Sequence, residues 1–196
     1  MPARRSKIIT RWYFTCPALL LAALTGLAQA PPAPGSNEAK LVADFKQRAQ
    51  QYLDWRENTV GKTPPPANSP EKIVAVRHEL ANKVRASRAG AKQGEIFTHE
   101  IADYFRHQIA ATMNGRYGKQ IRSSLLHSEP TEMNLRINQS YPENVPLQST
   151  PPTLLLNLPE LPKGLEYRIL GRELVLRDSD ANIIVDYIPN ALPGTK

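Results

Sequence analysis

The chain has a single cysteine, Cys16, among 196 residues. It stands ahead of the apolar run 17–28 rather than at its end, which argues against lipid attachment there. Beyond that run no thiol remains, so neither a disulfide framework nor a cysteine nucleophile is available. The ten glycines are scattered and form no phosphate-cradling loop. No GxSxG elbow and no SxxK pair occurs, which removes the familiar serine nucleophiles. Ser123-Ser124 near His127 has no third group to orient a base. The apolar run of roughly a dozen residues falls short of the ~20 that a spanning helix needs.

What the first residues do contain is a cationic start, Arg4, Arg5, Lys7 and Arg11, followed by 17–28 and small residues. This is the pattern of a secretory signal peptide. Residues 1–28 are therefore expected to be the signal, cut after Ala28, with Ala30 the alternative. The formal charge is +7. Taking those four cations from the 25 Lys+Arg leaves 21 against 18 Asp+Glu, or +3. So modest a surplus gives a nucleic-acid partner little support. The expected location is exported, periplasmic or secreted, with no transmembrane segment after cleavage.

Residues 29–36, QAPPAPGS, read as a flexible tether. A helical region is expected over 37–128. Leu41, Phe45, Ala49 and Tyr52/Leu53 recur at helical spacing over about 37–56, and the prolines at 64–66 end that helix. Ser69-Pro70-Glu71 is a capped helix start, followed by Ile73, Val76, Leu80 and Val84 as an inward stripe. The other face is basic, with Arg77, Lys83, Arg85 and Arg88, then Lys92 beyond the end. Such a face is expected to be a solvated helix face with cations helping its C-terminal end, the alternative being a dock for an acidic protein or an anionic envelope surface. A third helix is expected over about 95–113 on Phe97, Ile101, Phe105, Ile109 and Met113, and a short fourth over about 119–126.

The region 129–196 is expected to be β-rich and to form one unit with the helices. It holds six Lys+Arg and nine Asp+Glu, against 15 and nine in 37–128, so a basic half meets an acidic one. Residues 132–138 alternate as a strand, and 151–158 contain a helical turn or two. Most defined is 165–188. Gly171-Arg172 lies between two alternating runs, as in a type II′ hairpin, which pairs Ile169 with Leu174, Tyr167 with Leu176 and Glu166 with Arg177. A second turn at 178–182 leads to a β-branched run at 183–188. The fold class is α+β, with three to four helices on an antiparallel sheet of about four strands that ends in a meander.

Metal-ligating types cluster once, at His99, Asp103 and His107. Steps of four bring neighbouring pairs within about 6 Å. His99 and His107, however, are separated by about 12 Å of helical rise, too far for one ion. The cluster is not HExxH, because Asp103 stands where the second histidine belongs. Asp178-x-Asp180-x-Asn182 opens like a calcium loop, but Ile183 replaces the glycine and Pro189 the bidentate glutamate, so a β-turn is expected. The acid pairs Glu129/Glu132 and Asp178/Asp180 have no evident cleft. Asn138-Gln139-Ser140 matches a glycosylation triplet. No catalytic residue and no cofactor is assigned.

The runs 158–178 and 181–189 resemble the ends of small exported bacterial proteins of uncharacterised function. More distantly, they are similar to the C-terminal strands of RcnB-type periplasmic proteins, which are linked to nickel and cobalt homeostasis. The resemblance covers about the last 65 residues. The expectation is a non-enzymatic binding or structural module. The alternatives are a metal-responsive periplasmic protein and an enzyme of unfamiliar type, such as a hydrolase.

Overall fold

The computed structural model describes residues 35–61, 69–126, 134–142 and 151–194. The expected signal, His127, Glu129 and Glu132 lie outside them. Among the described residues, five helices and a three-stranded antiparallel sheet form an α+β fold. Among the described residues no helix is long and apolar enough to cross a membrane.

The helix starts follow their capping residues. The Ser36 side chain accepts from Ala39 N and opens α1, Asn37–Val60; Gly61, at φ 104, closes it. Ser69 accepts from Lys72 N at the head of α2, Pro70–Ser87. Thr98 accepts from Ile101 N and opens α3, His99–Asn114. That start is four residues later than the hydrophobic spacing suggests. Phe97 belongs to the core, but its backbone N–H is held by Asp186, so it stays in the preceding loop. After α4, Gly118–Leu126, comes α5, Pro152–Leu155, a single turn.

The strands β1, Leu165–Leu170, β2, Glu173–Asp178, and β3, Ile183–Ile188, lie in the order β1-β2-β3. The pairs Ile169–Leu174, Tyr167–Leu176 and Glu166–Arg177 all form. Gly171 has φ 58 while Arg172 stays at negative φ, the II′ combination. Between β2 and β3 the register shifts at Leu176/Arg177: Leu176 faces Asp186 and Arg177 faces Ile184, leaving Val185 as the extra residue of a bulge. The expected fourth strand is not continuous. Asn138 takes φ 62 and turns the chain, and the contact with the sheet is an isolated bridge, Ser140–Ile183.

The inner face of the sheet, with Tyr167, Ile169, Leu174 and Leu176, meets the helices around Phe45. The Phe45 ring centroid lies 4.9 Å from Phe105, 5.4 Å from Phe97 and 6.3 Å from Tyr167, at distances where aromatic pairs attract. The outer face is smaller, with Leu170, Val175 and Ile184 under Tyr141. Helix α2 packs Leu80, Ala81 and Val84 on Ala181 and Ile183. Its first half runs past that contact, which leaves Ile73 37% and Val74 40% exposed. The inward stripe expected from Ile73 therefore begins only at Leu80.

Candidate functional site

The junction of the helical and β-rich parts is ionic and buried. Arg56 occupies the next position of the α1 stripe Phe45, Ala49, Tyr52 and faces inward. Its Nη1 donates to both carboxylate oxygens of Asp178 at 2.9 Å, and Nη2 donates to Asp180 Oδ2 at 3.1 Å. The Tyr52 hydroxyl donates to Asp178 Oδ2 at 2.9 Å. The backbone N–H groups of Asp180 and Ala181 donate to Asp178 Oδ1 at 2.9 and 3.0 Å, an Asx turn. Burial opposes the charge on Arg56, but the Asp178 and Asp180 carboxylates outweigh it and push the guanidinium further toward its charged form. Burial, then the neighbouring Asp178, raises the Tyr52 phenol well above its ordinary range. The loop that opens like a calcium site thus already receives a cation from the protein, the guanidinium of Arg56. Five hydrogen bonds from four donor atoms converge on Asp178, so the acceptor positions of its carboxylate are taken up inside the protein.

A second buried acid, Asp186, has the same kind of use. It accepts from the backbone N–H groups of Gly94, Ile96 and Phe97 at 2.8–2.9 Å, and from its neighbour Tyr187 at 2.8 Å. Burial raises its carboxyl above the usual aspartate value; the four amides pull the other way. On the outer face, Glu166 binds Arg177 across the strands and also Arg168. Arg177 in turn lies 4.9 Å from the Tyr141 ring centroid.

Of the metal candidates, His99 and Asp103 come together, with Nε2 to Oδ2 at 3.2 Å, both exposed. The other oxygen of Asp103 takes Arg106 Nη1 at 2.7 Å, and Arg106 Nη2 reaches Pro189 O at 3.0 Å, tying α3 to the end of β3. His107 is exposed one turn further on. Among the described residues no group of three His, Cys, Asp or Glu side chains is arranged to hold a metal ion.

The basic face of α2 divides into engaged and unengaged cations. Arg88 is tucked in: it donates to Asn138 Oδ1, Val185 O and Glu95 Oε2, and its guanidinium carbon lies 5.3 Å from the Tyr52 ring centroid. Lys83 pairs with Glu79 at 2.7 Å. Arg85 donates to Asn82 Oδ1 at 2.7 Å and to Ser140 Oγ at 3.2 Å. Arg77 has no hydrogen-bond or ion-pair partner among the described residues and borders a cavity of about 180 Å³. A more open cleft of about 300 Å³ lies between α1, the end of α2 and the loop at Glu95, with Trp55 in its wall. Compared with protein-family models, curated proteins and solved structures, the chain matches none.

Sequence reasoning missed the inward roles of Arg56 and Asp186. The signal for Arg56 was present: a cation continuing an apolar stripe requires an anion from elsewhere.

Proposed function

We propose that the chain is an exported bacterial binding module without catalytic activity. It acts by attaching to negatively charged groups at the envelope surface through the side of the molecule that α2 occupies. The observation that carries this reading is the division of charge. The buried carboxylates Asp178 and Asp186 are held by internal donors, while Arg77, on α2, has no partner among the described residues. A fixed positive surface of this kind attracts and orients an anionic partner. The cationic start and apolar run at 4–28, and the resemblance of 158–189 to small exported bacterial proteins, support export.

Two measurements test the reading. Alkaline phosphatase fused behind residues 1–36 gains activity only when carried out of the cytoplasm, and the expected result is an active fusion; an inactive, full-length fusion removes the export half. The protein without its signal is expected to be retained on an immobilised acidic polymer and released as salt rises. Charge reversal by Arg77→Glu is expected to weaken retention strongly without altering the melting curve. Retention that ignores both salt and charge reversal rejects the surface assignment.

A further inference from the structure

The cavity beside Arg77 has a chemistry of its own. Its basic wall comes from consecutive residues of α2, Arg77 and His78; Ser140 and Tyr141 of the bridged segment form another side, and Asn182 of the β2–β3 turn closes it. Ala81 and Ala181 make the apolar floor, where α2 packs on the turn. None of the lining residues carries a carboxylate. The acids of the adjoining turn, Asp178 and Asp180, are bound by Arg56. Arg85 donates to Ser140 Oγ at 3.2 Å, so the hydroxyl accepts from a cation and its own proton is directed elsewhere. Two guanidinium groups thus serve one small cavity, Arg77 directly and Arg85 through Ser140.

From this arrangement we infer that the cavity is an anion site for a phosphate monoester headgroup. The fixed charge of the two arginines matches a dianion, and a guanidinium fork suits the paired oxygens of a phosphate. Arg77, His78 and Ser140 supply donors from two separate elements, which matches a tetrahedral group better than a planar one. The volume of about 180 Å³ is comparable with the ~150 Å³ of a cavity that admits benzene, room for a phosphate with a short substituent. Such a headgroup occurs on free glycerol phosphate and on acidic phospholipids, and the chemistry recognised is the same. This inference rests on the envelope-attachment reading above and gives it a defined contact point.

The probes are sn-glycerol 3-phosphate and vesicles of phosphatidic acid in phosphatidylcholine, added to the protein without its signal. Titration followed by amide NMR is expected to shift Ser140, Ala181 and Asn182, with a Kd of about 1 mM or tighter. Arg77→Ala is expected to weaken binding about tenfold or more, and Ser140→Ala to weaken it less. Both positions are at the surface, so intact melting curves are expected. Lys83→Ala, which removes a cation already paired with Glu79, is expected to leave the affinity unchanged. Binding to the soluble ester marks free phosphate esters as the source, whereas binding only to phosphatidic acid vesicles marks a lipid headgroup; either supports the site. No shift with either probe, or equal binding by Arg77→Ala, overturns it. If that happens while salt-sensitive retention on the acidic polymer persists, only the cavity assignment falls; loss of both removes the parent reading too.

Discussion

Arg56 and Asp178 are 122 residues apart in the chain, yet Nη1 of the arginine lies 2.9 Å from both oxygens of the carboxylate. The Arg56 side chain is 9% exposed and that of Asp178 not at all. Removing one partner of such a pair leaves an uncompensated buried charge, at a typical cost of 3–5 kcal/mol, about the range expected for Arg56→Met. Adding Asp178→Asn to that variant removes the stranded charge and is expected to recover part of the loss. Urea denaturation of the two variants checks this. A single variant within about 1 kcal/mol of the parent would show that the pair contributes little.

Asp186→Asn provides a second test. The carboxylate offers acceptors to four N–H groups, whereas an amide turns one acceptor into a donor facing other donors. The expected loss is about 1–3 kcal/mol, with faster hydrogen exchange at Ile96 and Phe97. The pH dependence has a definite sign. Burial raises the folded-state carboxyl above its ordinary 3.8, so the folded protein holds this proton more tightly than the unfolded chain. The stability contributed by that tighter binding is fully present below the unfolded value and is lost as pH rises through the folded one. Urea midpoints measured upward from about pH 3.5 are expected to reveal this loss in the parent and not in Asp186→Asn.

Gly118 and Gly90 form a matched pair of sites. A Cβ at Gly118 would lie 1.8 Å from the carbonyl oxygen of Met113, a backbone atom that cannot swing aside, while one at Gly90 would meet nothing within 4 Å. Gly118→Ala is therefore expected to lower the melting temperature by several degrees, a loss of about 1–3 kcal/mol. Gly90→Ala is expected to leave it unchanged or slightly raised. Equal melting temperatures for the two variants would contradict the tight passage from α3 to α4.

Gly171→Val tests the hairpin. At φ 58 a β-branched residue is strained by about 1–2 kcal/mol, so a fall of about 2–8 °C is expected in thermal unfolding. Unchanged melting would mean that the turn tolerates another backbone conformation.

The meander was legible because each of its determinants is local. Glycine fixes the turn, alternation fixes the faces, and the Glu166–Arg177 pairing follows from both. Asp186 was hidden by a change of parity. Strict alternation would place it on the same face as Ile184, but the bulge at Val185 rotates it inward, where the loop before α3 awaits an acceptor. The inward position of Arg56 could be read from its stripe, but its partners were hidden by distance, since they lie far along the chain. Ile73 was misplaced because periodicity identifies a helical face and not where the neighbouring surface ends. The cavity at Arg77 joins three stretches, of which only the α2 cations stood out in sequence.

The clasp between Arg56 and the turn at Asp178–Asp180 also imposes an order on assembly. During synthesis α1 emerges early, carrying a guanidinium on the side that must become dry, and its counter-ions emerge more than a hundred residues later. A chain clipped ahead of Asp178 keeps that cation without the carboxylates that offset its burial. Closure of the two halves therefore waits on the stretch that carries Asp178 and Asp180, which makes the ionic latch a link between early and late parts of the chain.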